Sequence, residues 1–206
     1  GFSTISGKEL IRKFEEQARG FDVHLELDSV TSVKKEDGAF LVRTAGGTEY
    51  RSRTLILAPG KEPRRLGLPG EDRLLGKGIS ICPVCDAPLY RDKPVAVVGG
   101  GNAALQTAIE MTKFASSVTL IARGALRCDE IFLSRAEEAG IRTLSPHEVT
   151  ALHGDAALTG MTVRDRETGE EMNLDVEGLF LSIGFAPNTE FLKDLVALNE
   201  RGEILI

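Results

Sequence analysis

The run Pro94-Val-Ala-Val-Val-Gly-Gly-Gly-Asn-Ala-Ala104 leaves this 206-residue chain few folds to choose from. Pro94–Val98 is apolar throughout and too short for a buried helix, so it reads as a buried strand. A helix is predicted from Ala103 to about Lys113. Gly99, Gly101 and Ala104 fall at the G-x-G-x-x-G/A positions of a dinucleotide fingerprint, with the required strand before and helix after. Gly99 permits the tight turn, Gly101 lets the backbone approach a pyrophosphate, and Ala104 lets helix and strand pack closely. The phosphates would sit at the helix N-terminus, where unpaired amides favour negative charge. A glycine run can also be a plain turn between strand and helix, so a second signal is needed.

That signal is Cys82-Pro-Val-Cys85-Asp86, a Cys-x-x-Cys pair followed directly by an acid. Half a zinc site is the competing reading. Cys128, His24, His147 and His153 show no ligand spacing beside the pair, which disfavours it. Together the two signals point to an enzyme moving reducing equivalents from a nicotinamide to a dithiol. Hydride moves as two electrons, and a disulfide accepts them most simply through a flavin.

Composition sets the outer limits. With 42% hydrophobic and 27% charged residues, the chain can bury a substantial core. A formal charge of -6 gives no whole-chain argument for nucleic acid or an anionic membrane. No apolar run reaches transmembrane length. Three cysteines, two of them spaced for redox exchange, suit a reducing cytoplasm better than a disulfide scaffold.

Ser6 is placed to cap a helix running through Arg19, with Glu9 completing a capping box. Phe21–Leu27 alternates as a strand. Val30–Lys35, Ala39–Thr44 and Thr48–Tyr50 read as a β meander, and Thr54–Ala58 as a buried strand. Beyond a Gly- and Pro-rich connector, strands are expected at Val95, Val118–Ile121, Ile141–Leu144 and Gly178–Gly184. An antiparallel excursion covers Val149–Leu174, and a short helix opens within Phe185–Glu190. The fold class is α/β: a doubly wound, Rossmann-like domain over 67–184, inserted between flanking segments 1–66 and 185–206.

These motifs resemble the low-molecular-weight, thioredoxin-reductase-like flavoproteins, which include the flavoprotein component of alkyl hydroperoxide reductase. Cys82, Cys85 and Asp86 match the family's Cys-x-x-Cys-Asp. Gly99, Gly100, Gly101, Asn102, Ala103 and Ala104 match its Gly-Gly-Gly-Asp/Asn-Ser-Ala, with alanine for serine. Ala58-Pro59-Gly60 matches Ala-Thr-Gly, Gly67–Gly70 matches Gly-Leu-Pro-Gly, and Ile183-Gly184-Phe-Ala-Pro-Asn-Thr189 matches Ile-Gly-x-x-Pro-Asn-Thr. Pro59 departs from threonine, and Ala87 stands where glycine is usual.

The resemblance implies FAD and NADPH as cofactors, with NADH the alternative nicotinamide. It implies thioredoxin or a related redox protein as partner, and a homodimer in the whole protein. It also implies that the chain is incomplete, with 1–66 and 185–206 parts of a split FAD domain and a FAD fingerprint and closing FAD segment lying outside the chain. Electrons would pass from NADPH through FAD to Cys82–Cys85. Cys85 would face the flavin, Cys82 would attack the partner disulfide and Asp86 would move the proton. Connectors near Glu62–Leu66 and Phe185–Pro187 would be hinges for a domain rotation. The family's His-Arg-Arg after the second strand is here Ala122-Arg123-Gly124, with Arg127 following. Arg123 and Arg127 are therefore the residues expected to meet a ribose 2′-phosphate. Two other readings stay open: the reductase of a peroxiredoxin or other protein-disulfide system, and a non-catalytic nicotinamide-binding redox sensor.

Overall fold

A computed structural model describes all residues, 1–206. The chain forms two compact units, Gly1–Pro59 with Asn188–Ile206, and Gly60–Pro187.

The first unit opens on helix α1 (Gly7–Arg19), where Ser6 Oγ accepts from the Glu9 amide at 3.2 Å. The reciprocal half of the expected capping box does not form, because the exposed Glu9 carboxylate remains in water. Strands β1 (Val30–Glu36), β2 (Ala39–Thr44) and β3 (Glu49–Ser52) form an antiparallel meander. Asp37 and Gly38, at φ 48° and 75°, turn the first hairpin, as an Asp-Gly pair with two left-handed residues does. Two expected strands form no ladder, and the first of them opens on a turn, with Asp22 at φ 55°. Phe21–Leu27 is exposed along its length, and in Thr54–Ala58 the Ile56 side chain is 94% exposed. Alternation specifies an extended backbone, but a strand also needs a neighbour to accept its hydrogen bonds, and this chain lays none beside either segment.

The second unit begins with β4 (Lys61–Pro63), helix α2 (Glu71–Leu74), β5 (Ile79–Ser80) and the single turn α3 (Pro83–Asp86). There follow β6 (Pro94–Val98), α4 (Asn102–Met111), β7 (Ser117–Ile121), α5 (Glu130–Glu138) and β8 (Arg142–Leu144). Strands β9 (His147–His153), β10 (Gly160–Asp165), β11 (Glu171–Leu174), β12 (Gly178–Leu181) and β13 (Phe185–Pro187) complete it. Five parallel strands form the central sheet in the order β5-β12-β6-β7-β8.

The apolar run of β6 is buried on both faces, as a central parallel strand requires. Val95 and Val97 point to one core with α4, α5 and Phe180, while Ala96 and Val98 point to another with Leu179, Leu181 and Ile121. Helices cover the first face. The second is covered by the antiparallel sheet β11-β10-β9 through Val149, Met161, Val163 and Leu174, so the excursion is itself a structural layer.

The boundaries fall at 59/60 and 187/188, where the sequence placed them at 66/67 and 184/185. The shift arises because β4 and β13 pair antiparallel with each other, Arg64 N donating to Gly184 O at 2.9 Å. The two expected hinge connectors thus form one ribbon. Phe185–Pro187 is a strand rather than the start of a helix, and a single 3-10 turn, Glu190–Leu192, follows it.

The approach to the sheet is held by a buried carboxylate. Glu71, 4% exposed, accepts from Leu66 N at 3.1 Å and Gly67 N at 2.8 Å. Glu71→Ala strands both amides and is expected to destabilise the chain by about 1–3 kcal/mol. A urea midpoint equal to that of wild type would show that water replaces the carboxylate without loss.

Candidate functional site

Strand β6 is followed by β7 on one side in the sheet, while β12 lies on its other side. Strand order reverses there, and ligands of open α/β sheets bind in the crevice that opens beyond the strand ends at such a point. A cleft of about 750 Å³ occupies it, lined by Gly99–Ala103, Ala122–Ala125, Arg127, Arg166 and Ser182–Gly184. The predicted residues Gly99, Gly100, Gly101, Asn102, Ala103, Arg123, Arg127, Ile183 and Gly184 thus meet in one place.

The glycines differ in why they are glycine. At Gly99, φ is 148° and an added Cβ would lie 2.3 Å from Ser182 O and 2.7 Å from Ala104 Cβ. That position is set by packing, and Ala104, fully buried, serves the same contact rather than the cleft. Gly101 has φ −105°, and an added Cβ would meet only Arg127 O, at 3.9 Å. Nothing in the protein requires Gly101 to be bare, but a group lying against the start of α4 would. Asn102 reaches away from such a group. Its amide donates to Asp129 Oδ2 at 2.9 Å and accepts from Asp129 N at 2.8 Å, tying the start of α4 to the cap of α5.

The cleft is cationic. Exposed Arg123 and Arg127 have no side-chain partner within the chain, and Arg166 lies beside them. Arg166 Nη1 donates to Arg123 O at 2.6 Å, and its Nε lies 3.5 Å from Glu148. An Arg164 hydrogen bond, reinforced by the charges of Arg164, Arg166 and Arg123, holds the Glu148 carboxyl below the usual range. Bare Gly101 amides, an open cleft and an arginine cluster fit a dinucleotide with phosphates at both the pyrophosphate and the ribose. Arg166 is not legible in the sequence, lying 43 residues beyond Arg123 with no motif around it.

Cys82 and Cys85 are joined in a disulfide. The pair follows β5, with Cys82 at the N-cap position of α3 and Cys85 on it, outside the cleft lining. Ser80, 2% exposed, organises it: its hydroxyl donates to Asp86 Oδ2 at 2.7 Å and accepts from Cys82 N at 3.1 Å. The acid predicted from adjacency is therefore anchored by a residue that adjacency does not reveal. Tyr90 packs edge-on to Phe180 at 5.1 Å, and burial, with the Asp86 charge, pushes its phenol up and keeps it neutral. Val84, between the two cysteines in the chain, and Leu89, on the 3-10 turn Ala87–Tyr90 that follows, are exposed apolar side chains.

Ala58 and Pro59 belong to the first unit, where they line an apolar pocket of about 180 Å³ with Val33, Val42 and Phe191. Asn188 donates to Pro59 O at 3.2 Å. Gly60, φ 69°, opens the second unit. A pocket of that size does not enclose a flavin dinucleotide, since sites for drug-sized ligands alone run to about 300–1,000 Å³. No helix is long and apolar enough to cross a membrane.

Residues 3–206 match the family described as pyridine nucleotide-disulphide oxidoreductase. The thioredoxin reductase of Mycolicibacterium smegmatis is 40% identical over 204 residues, covering 98% of this chain and 65% of that protein. An alkyl hydroperoxide reductase component of Staphylococcus aureus is 39% identical over 178 residues, covering 85% of this chain and 35% of its own length. The crystal structure of Lactococcus lactis thioredoxin reductase superposes with a TM-score of 0.78 at 31% identity, covering 100% of this chain and 69% of that one. This chain therefore spans less than two thirds of the length of the curated relatives described. From its glycine cleft, its Cys-x-x-Cys disulfide and a family match over nearly every residue, the chain belongs to the pyridine nucleotide-disulphide oxidoreductases.

Proposed function

We propose that the whole protein is a thioredoxin-disulfide reductase passing electrons from NADPH, by way of FAD, to the Cys82–Cys85 pair and on to a protein disulfide. The observation that carries this is a formed disulfide with an anchored acid on the same unit as a cationic dinucleotide cleft. When bound in the whole protein, the flavin carries an electron pair between nicotinamide and disulfide, chemistry that no side chain supplies.

In this reading the chain's own residues do four things. The Gly99–Ala103 turn and the start of α4 seat the pyrophosphate, and the arginines beside it take the ribose end. Cys85 would be the cysteine that faces the flavin. Cys82 attacks the partner's disulfide, forming a mixed disulfide that Cys85 resolves as the partner leaves as a dithiol and Cys82–Cys85 re-forms. Asp86, held by Ser80, takes and returns the proton that makes each thiol a thiolate. Exposed Val84, between the two cysteines, gives an incoming redox protein apolar surface. The reading includes a cytoplasmic homodimer, whose dimeric state sedimentation of the whole protein tests.

The test is NADPH-dependent reduction of oxidised thioredoxin by the purified whole protein, with its visible spectrum recorded. A flavin-free protein, or a flavoprotein inert toward every protein disulfide, would overturn the reading. Similarity to the alkyl hydroperoxide reductase component supports a second reading, in which the acceptor belongs to a peroxide-reducing system. Steady activity toward that acceptor with none toward thioredoxin would select it. Asp86→Asn is expected to slow disulfide exchange and change its pH profile while leaving hydride transfer to flavin intact. An unaltered profile would remove Asp86 from the proton path.

A further inference from the structure

The nucleotide cleft has a third arginine that comes from a different layer of the fold. Arg166 lies in the turn after β10, on the antiparallel sheet, whereas Arg123 and Arg127 follow β7 of the parallel sheet. Between them Gly124 offers no side chain. The loop carrying Arg123 and Gly124 is held at two carbonyls: Arg166 Nη1, from the antiparallel sheet, donates to Arg123 O at 2.6 Å, and Ser145 Oγ, in the link between β8 and β9, donates to Gly124 O at 2.8 Å.

Arg166 is fixed before any ligand arrives. Its amide donates to Pro146 O at 2.9 Å, and Asp165 Oδ1 accepts from Glu167 N and Thr168 N, at 2.7 and 3.1 Å, closing the turn. Its Nε lies 3.5 Å from Glu148 Oε2, yet Arg164 holds the other oxygen of that carboxylate at 2.5 Å. One carboxylate thus faces two guanidinium groups, and Arg166 Nη2 has no partner within the chain. The guanidinium is half-exposed and held through Nη1 and Nε, which leaves Nη2 free to receive a phosphate.

We propose that Arg166 is a specificity-determining residue for the adenosine 2′-phosphate of NADPH, supplying from the β10–β11 turn the positive charge that Gly124 does not. The proposal rests on the reading of this protein as an NADPH-fed reductase. Because Arg166 also bonds the Arg123 carbonyl, it sets the position of the loop as well as its charge.

The experiment measures binding to the whole flavoprotein by calorimetry, using adenosine 2′,5′-bisphosphate and AMP as probes. Wild type is expected to prefer the bisphosphate. Arg166→Ala is expected to cut that preference by about 10- to 100-fold, the loss from one charge-assisted contact. Glu148→Gln separates charge from scaffolding. It frees Arg166 from its competing carboxylate and is expected to raise the preference, whereas a purely structural Arg166 would leave it flat or lowered. A preference retained in Arg166→Ala, or no gain in Glu148→Gln, would overturn the proposal while leaving the NADPH reading standing. Equal binding of both probes by wild type would overturn that reading, and this proposal with it.

Discussion

Cys82→Ser and Cys85→Ser, each made in the whole protein, should abolish NADPH-dependent reduction of a protein disulfide while leaving anaerobic bleaching of the flavin by NADPH intact. A serine oxygen forms no disulfide, so neither the relay nor the mixed disulfide with a partner can exist. The loss should reach at least about a thousandfold, as when a covalent nucleophile is removed. Hydride transfer should survive because neither sulfur lines the nucleotide cleft. Folding should survive as well. The pair is separated by three positions in the chain, and cross-linking so short a loop removes little freedom from the unfolded state. The measurements are stopped-flow absorbance of the flavin and steady-state turnover with oxidised thioredoxin. Normal turnover in either variant would take the pair out of the electron path.

What the sequence makes legible is what depends on near neighbours. Val95–Val98 announces a strand buried on both faces because an unbroken apolar run this short, ending at glycines, has no room to be a buried helix, and the glycine turn announces its own cleft. Asp86 is visible because it adjoins Cys85. Ser80, only two positions before Cys82, is not, because its hydroxyl reaches Asp86 only once β5 is paired with β12 and the chain folds back through α3. Arg166 is hidden for the same reason on a longer scale: nothing local says that a hairpin of one sheet overhangs a loop of another. The same limit explains Gly178, where an added Cβ would meet the Tyr90 ring at 2.6 Å. Thr54–Ala58 shows the converse, a correct strand pattern with no ladder beside it in the chain.

Gly99→Ala and Gly101→Val should fail in opposite ways, and the contrast tests the cleft assignment more sharply than either alone. At Gly99 the backbone sits at φ 148°, where an L side chain costs on the order of 1–3 kcal/mol. The new Cβ would also have to displace Ser182 O from 2.3 Å, and that oxygen lies just past the end of β12, with no flexible side chain to yield. Destabilisation above about 3 kcal/mol is therefore expected. At Gly101 the backbone, φ −105° and ψ 179°, is open to any residue, and the nearest atom to an added Cβ is 3.9 Å away. Losing glycine at the helix cap costs at most about 1 kcal/mol, so the protein should fold normally. The valine would instead stand where the pyrophosphate approaches α4, and NADPH affinity should fall by about tenfold to a hundredfold, equivalent to roughly 1.4–2.7 kcal/mol. Urea midpoints and calorimetric titration of NADPH read the two effects separately, with bound flavin as the check on the rest of the protein. If Gly101→Val bound NADPH like wild type, the pyrophosphate would not lie at the start of α4. If it unfolded as readily as Gly99→Ala, Gly101 would be a packing glycine like its neighbour, and the bare surface beside it would need another occupant.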